Sequence, residues 1–435
     1  MNTMKKLCLI LLLLVFAPCV AHAELRVDIT RGTIEPMPIA IQQFYGDGGG
    51  NATFASQIPQ VITADLERSG LFKPLNPQAF VQDPASIQAQ GVNFGEWRAI
   101  STQALVTGAV VQAPDGRARV EFRLWDVFSQ KQLTGMAYTT TPDNWRRIAH
   151  IIADEIYKRL TGEMGYFDSR IVYVAESGPA TGRVKRLAIM DQDGANHKYL
   201  TDGHSLVLTP RFSPSRQQLT YMSYGPSGPR VYLYDINTGS HELLGNFPNM
   251  TFAPRFSPDG NRVAMSMATN GNTDIYVMDL SSRQPRKITS DSSIDTAPSY
   301  APDSRRIVFE SDRGGTQQLY TMNADGSGVN RITFGKGRYA NPVWSPRGDL
   351  IAFTRMYQGQ FYIGVIRPDG SGERLITSAY HVEGPSWSPN GRVLTYFKES
   401  GHRARVYTVD ITGYNERALE TPQDGSDPAW SPLNP

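Results

Sequence analysis

Cysteine is nearly missing from this 435-residue chain: there are two, Cys8 and Cys19. Both fall in residues 1–23, which read as a secretory signal peptide, with Lys5 and Lys6, an apolar run over 7–17 and Ala21-His22-Ala23 as a small-x-small cleavage site. Cleavage after Ala23 leaves a mature chain from Glu24 without a thiol, which excludes disulfides and cysteine chemistry. A lipoprotein leader is excluded as well, because Cys19 follows Pro18 and lacks the small-residue box. The leader's apolar run is too short to span a bilayer and no longer one follows, so no direct membrane insertion is expected. Charge of one sign is also lacking, with 43 Lys and Arg against 41 Asp and Glu. Loss of Lys5 and Lys6 brings the mature chain to neutrality, which argues against capture of nucleic acid or anionic membrane.

Catalytic signatures are equally scarce. The chain has seven histidines, none forming an HExxH pair and none joined by a mature cysteine, so no metal site is expected. It has no GxSxG elbow and leaves no hydrolase-sized domain unassigned. The glycine run at 46–50 lacks the Lys-Ser/Thr that a phosphate loop requires. DQDGAN at 191–196, NADGSG at 323–328 and PDGSG at 368–372 lack the remaining ligands and the closing Glu of a calcium loop; they recur between third and fourth strands, as hairpin turns do. The reading is therefore no enzyme, no catalytic residue, no metal and no cofactor.

What is present is a repeat. PRFSPS begins at 210, PRFSPD at 254, PSYAPD at 298, PVWSPR at 342, PSWSPN at 385 and PAWSPL at 428, at intervals of 44 or 43 residues. That period belongs to four-stranded propeller blades. Each phrase is followed by a turn, by apolar runs such as RVAMSM at 262–267 and DIYVMD at 274–279, and by a short last strand such as RKIT at 286–289. The aromatic of each phrase (Phe212, Phe256, Tyr300, Trp344, Trp387, Trp430) is expected to end the innermost strand and wedge between blades. Three strands near 170–176, 185–191 and 197–201 precede the first phrase without an inner strand of their own. The last phrase is expected to supply it, closing six blades with no open edge.

Before about Gly165 the period is absent. LRVDIT at 25–30 alternates and predicts a half-buried strand, and PIAIQQF at 38–44 predicts another. A helix is expected over 53–69 with Ile58, Val61, Ile62 and Leu66 inward, then strands at 104–112, 118–128 and 131–140, and a second helix over 144–160. The domains expected are a signal peptide at 1–23, an N-terminal α+β mixed-sheet domain at 24–165, and an all-β six-bladed propeller at 166–435 closed by a C-terminal strand. The segments leading into each inner strand (208–209, 250–253, 295–297, 339–341, 382–384, 426–427) vary while the strands repeat, and are expected to be loops suited to recognition.

The six Pro-x-aromatic-Ser-Pro phrases, the stretch Leu66-Glu67-Arg68-Ser69-Gly70-Leu71-Phe72 and the stretch from Gly95-Glu96-Trp97-Arg98 to Leu105-Val106-Thr107-Gly108, in this domain order, resemble the TolB family, the periplasmic member of the Tol-Pal system of Gram-negative bacteria. The resemblance covers essentially the whole mature chain. It implies a periplasmic, monomeric, non-enzymatic coupling protein that supports outer-membrane integrity and invagination at division, and that some bacteriocins borrow. The implied partners are the lipoprotein Pal, the C-terminal domain of TolA and other outer-membrane proteins. Carried onto this chain, the Pal face comprises Met250, Thr251, Phe252, Ala253, Asp295, Thr296 and Ala297. The TolA segment comprises Glu24, Leu25, Arg26, Val27, Asp28 and Ile29, within 24–32. Two other classes stand beside it: a propeller accessory of a periplasmic hydrolase, and a cell-wall carbohydrate binder using channel aromatics.

Overall fold

The computed structural model describes residues 25–27, 35–46, 52–225, 228–245, 247, 251–401 and 403–435. In the N-terminal part, strands β1 (Met37–Ile41), β2 (Tyr45–Gly46), β3 (Phe72–Pro74), β4 (Ala104–Gln112), β5 (Ala118–Asp126) and β6 (Lys131–Thr140) form one mixed sheet in the order β3-β1-β4-β5-β6, with β2 also paired to β4. β3, β1 and β4 run parallel, and β4, β5 and β6 antiparallel. Two long helices, α1 (Ala52–Arg68) and α4 (Trp145–Thr161), share a core with this sheet. Of the residues expected to face inward, Ile58, Val61, Ile62, Leu66, Ile148, Ile152, Ile156 and Leu160 are buried, whereas Trp145, in the first turn of α4, is only half-buried and stacks on Phe54. α4 stops where Gly162 takes the left-handed conformation (φ 79°), which costs a residue without Cβ nothing.

α1 carries Pro59 in its interior, which ought to leave the Ala55 carbonyl without its helical donor. The Phe44 backbone N–H donates to that carbonyl at 2.9 Å, so the defect becomes a tie between helix and sheet. Two short helices, α2 (Pro84–Gln90) and α3 (Phe94–Ala99), were not expected from the sequence. They are too brief to show a periodicity, and they help enclose Trp97 against Ala40, Leu105 and Val127.

The propeller has six four-stranded antiparallel sheets. Its inner strands are Leu206–Phe212, Thr251–Phe256, Asp295–Tyr300, Arg338–Trp344, His381–Trp387 and Asp424–Trp430, each ending on the aromatic of the repeated phrase. The last of them completes the sheet of Arg170–Ser177, Val184–Asp191 and Lys198–Tyr199, with Trp430 opposite Ile171 and Asp424 opposite Glu176. The aromatics do bridge blades: Trp387 Nε1 donates to the Val343 carbonyl of the preceding blade at 2.9 Å. The Asp-Gly turns are hairpin turns, as their residue types suggest; in each an Asp carboxylate accepts from the N–H two residues on, at Asp193, Asp325 and Asp369.

The segments leading into the inner strands are not loops, which corrects the sequence expectation. Most are the first halves of those strands, separated from the second halves by a bulge. At every bulge the residue before the phrase's first Pro has positive φ: Thr209, Ala253, Ala297, Asn341, Gly384 and Asp427. The proline has no N–H for the ladder, so pairing must break there, and the extra residue rolls into the left-handed region. Ala297, at φ 50°, bears a Cβ in that region. Ala297→Val should lower unfolding free energy by about 1–2 kcal/mol and Ala297→Gly should leave it nearly unchanged, as read by urea denaturation.

The strand expected at 25–30 is also corrected in its described part. Residues 25–27 lie outside any strand. Val27 is buried, and its N–H donates at 2.8 Å to the Leu160 carbonyl, one of those at the end of α4 without a helical partner. Alternation reflects burial of Leu25 and Val27 against the helices rather than pairing with a sheet.

Candidate docking surfaces and the domain junction

The expected partner-facing residues divide sharply by accessibility. Met250 lies outside the described residues, and Thr251 is buried. Asp295 is fully buried; the Arg313 guanidinium donates to both its carboxylate oxygens at 3.0 and 2.9 Å, and lies over the rings of Phe309 and Tyr320. It is therefore an internal anchor and offers no surface. Thr296 is buried too, and its hydroxyl donates to Glu310, whose other carboxylate oxygen accepts from the Asn341 N–H at 2.9 Å. Burial pushes the Glu310 carboxyl up from its ordinary range, against these hydrogen bonds. The Ala297 N–H reaches Ser266 Oγ of the neighbouring blade at 3.2 Å.

Phe252 and Ala253 remain half-buried, and Phe252 lines a groove of about 530 Å³ with Ile294, Thr296, Glu310, Asp312 and Arg338. Ile294 is 51% exposed, and its N–H is held at 2.8 Å by Asp312 Oδ1. The groove thus offers two apolar side chains between carboxylates and a guanidinium. Such a surface suits a folded protein patch with an apolar centre and a polar rim. Ile294, Glu310, Asp312 and Arg338 were not singled out from the sequence. The one available signal was a lone isoleucine inside the polar run 290–296.

Of the other expected segment, Glu24, Asp28 and Ile29 lie outside the described residues. Leu25 packs half-buried on the core, Arg26 is exposed and Val27 is buried. Two of the three described residues are therefore docked on the protein itself.

The two domains meet through a buried charge network. His150 Nδ1 on α4 lies 2.6 Å from Asp65 Oδ2 on α1, while Asp65 Oδ1 accepts from Arg68 at 3.0 Å and from Gln192 Nε2 of the propeller at 2.8 Å. Arg146 pairs with Asp193 across the same junction. Burial alone would depress the His150 imidazolium, but the Asp65 carboxylate, aided by Asp193 and Asp191, outweighs it and raises the group to about 9. Asp65, His150 and Asp193 lie close enough together to be weighed as metal ligands. Their carboxylates are already committed to Arg68, Gln192 and Arg146, so the donor set fits a protonated histidine better than a metal ion. Further ties are Arg347 to Glu163 at 2.9 Å and Asn390 Nδ2 to the Met164 carbonyl at 2.9 Å.

Comparison with known proteins agrees with this architecture. Residues 157–434 match the model of the TolB beta propeller domain and residues 25–133 that of the TolB amino-terminal domain. The Tol-Pal system protein TolB of Paramagnetospirillum magneticum is 59% identical over 219 residues, covering 50% of this chain and 49% of that protein. The chain thus spans about half the length of this curated relative. The crystal structure of TolB from Acinetobacter baumannii superposes with TM-score 0.82 at 31% identity, over 94% of this chain and 100% of that one. A chain of Kuenenia stuttgartiensis hydrazine synthase superposes with TM-score 0.50 at 12% identity, over 60% of this chain and 46% of that one, a likeness of fold alone. With both family models matched in the order of the two domains, and with a solved member superposed along nearly its whole length, the chain belongs to the TolB family.

Proposed function

We propose that this chain is the periplasmic coupling protein of a Tol-Pal system, acting by protein recognition and not by catalysis. It is exported by its signal peptide with cleavage after Ala23, binds the lipoprotein Pal through the propeller and TolA through residues 24–32, and so supports outer-membrane integrity and invagination during division. The observation that carries this reading is the superposition on the Acinetobacter baumannii TolB structure over 94% of the chain. The groove of Phe252, Ile294 and Arg338 adds a surface of suitable character for Pal, and the buried pair Thr296 and Glu310 lines it from within. That no described helix is long and apolar enough to cross a membrane is compatible with a periplasmic protein.

Affinity capture with purified Pal and the C-terminal domain of TolA tests the proposal. Ile294→Asp should weaken Pal capture by about tenfold or more, because it places a charge at an apolar contact between two carboxylates. Deleting residues 24–32 should abolish TolA capture and leave Pal capture intact. Equal TolA affinity after the deletion, or undiminished Pal affinity in the Ile294 variant, would remove the corresponding half.

A further inference from the structure

The repeated phrase places the residue between its first Pro and its aromatic on the inner strands around the propeller axis. In four copies that residue is small or aliphatic (Ser299, Val343, Ser386, Ala429), but in the first two it is arginine, Arg211 and Arg255. A cavity of about 240 Å³ opens where the inner strands end. Arg255, Ser299 and Ser386 line it together with the phrase aromatics, and no acidic residue does.

Arg255 is half-buried and borders this cavity, and among the described residues its guanidinium has no carboxylate or carbonyl partner. Its charged neighbour is a second cation. Enclosure, with the adjacent Arg211, pushes Arg255 well below the usual arginine range. Arg211 is not so isolated, since its Nη1 donates to the Pro210 carbonyl at 2.7 Å and Asp427 faces it. Of the carboxylates near the axis, Asp427 faces Arg211 and not Arg255, and Glu383, in the first half of its inner strand, is raised by burial and by Asp427 and Glu310. Because a guanidinium keeps its proton in proteins, an enclosed one beside another cation is relieved by an anion rather than by deprotonation.

The cavity wall also supplies neutral donors. Ser299 Oγ accepts from the Trp344 N–H and Ser386 Oγ from the Trp430 N–H, each at 3.1 Å. A hydroxyl fixed as acceptor from one side still has its own proton to donate. Both serines line the cavity, so two O–H groups and one guanidinium border a single space, roomy enough for a compact anion together with water. Ring edges, which carry the positive part of the aromatic quadrupole, suit the same charge.

We propose that the propeller channel is a binding site for a compact oxyanion, a carboxylate or phosphate group, held by the Arg255 guanidinium and the hydroxyls of Ser299 and Ser386. The site is independent of the docking groove on Phe252 and of the Tol-Pal assignment.

Titration calorimetry of the full mature chain, with sodium phosphate and separately with sodium acetate at an ionic strength held by chloride, tests it. The expected result is saturable binding of at least one of the two at one site per chain. Arg255→Met should weaken that binding by about tenfold or more, and Arg255→Lys by less, since lysine keeps the charge but loses the fork. The double variant Ser299→Ala with Ser386→Ala should weaken it several-fold. Phosphate binding without acetate assigns the site to phosphate groups, and the reverse assigns it to carboxylates. Absence of saturable binding for both anions overturns the proposal. So does unchanged affinity in Arg255→Met or, where that variant does not fold, in the double serine variant.

Discussion

Trp430→Ala should lower the unfolding free energy of the propeller by about 3–5 kcal/mol, the range for removing a large aromatic from a packed core. Three losses coincide at this residue. Its ring is 5% exposed and meets Tyr166 edge-on at 5.8 Å between centroids, so truncation opens a cavity at the domain junction. Its Nε1 donates to Ser169 Oγ at 2.8 Å, a bond from the C-terminal strand to the segment that begins the first blade. Its place opposite Ile171 is the last rung of the ladder that closes the ring. Weakening that ladder exposes the inner edge of Arg170–Ser177, and an exposed edge invites pairing with other chains. Urea denaturation followed by tryptophan fluorescence reads the loss, with Phe334→Ala as a control because Phe334 is 74% exposed. A control shift within about 0.5 kcal/mol and a Trp430 shift above 3 are expected. A Trp430 shift below about 1 kcal/mol would show that the closing strand carries little of the stability.

Stability should fall between pH 6.5 and pH 9, and His150 should account for most of the fall. Its folded value, about 9, lies above the ordinary 6.5. The folded state therefore holds the proton more tightly, and the contribution is fully present below 6.5 and lost as pH rises through 9. A difference of that size corresponds to roughly 3 kcal/mol at most. The groups facing the imidazole are Asp65 on α1, with Arg68 beside it, Asp191 and Asp193 across the junction, and Arg146 on α4 itself, paired with Asp193. Asp154, also on α4, adds a fall with the same sign at lower pH. Burial raises its carboxyl to about 7 even though the Phe167 and Asp168 N–H groups donate to it. Its contribution is fully present below 3.8 and lost as pH rises through 7. His150→Gln should flatten the profile above pH 6.5 and leave the Asp154 step. Denaturant midpoints taken at half-unit intervals decide it, and an equally steep fall in the variant would remove the histidine from the account.

The junction and the closing strand differ in how far they could be read from residues in order. The blades were legible because a blade is a local object: its strands, turns and aromatic phrase lie within 43 or 44 residues, and six copies of the pattern outweigh the noise in any one. Closure followed by the same logic, since three strands lacking an inner partner and one inner strand lacking a blade complete each other. Among the long elements of the first domain, α1 and α4 showed their periodicity, and β4 and β6 were read to the residue. The helices Pro84–Gln90 and Phe94–Ala99 were missed because six or seven residues make too few turns to show one.

The docking residues were harder because exposure is not a local property. Asp295 stands in a polar run and looks like surface, but Arg313, eighteen residues on, folds across it and takes both carboxylate oxygens. Ile294 beside it is the residue left exposed.

Residue order alone determined the number of blades, the mixed domain before them and the manner of closure, because each follows from patterns shorter than one repeat. Tertiary structure alone decided which side chains come together across the chain: His150 with Asp65 at a separation of 85 residues, Asp65 with Gln192 at 127, and Arg255, Ser299 and Ser386, from three inner strands, around one cavity. The physical reason is that a charge or a hydroxyl acquires its chemistry from what surrounds it within a few ångströms, and those neighbours are set by packing rather than by adjacency along the chain.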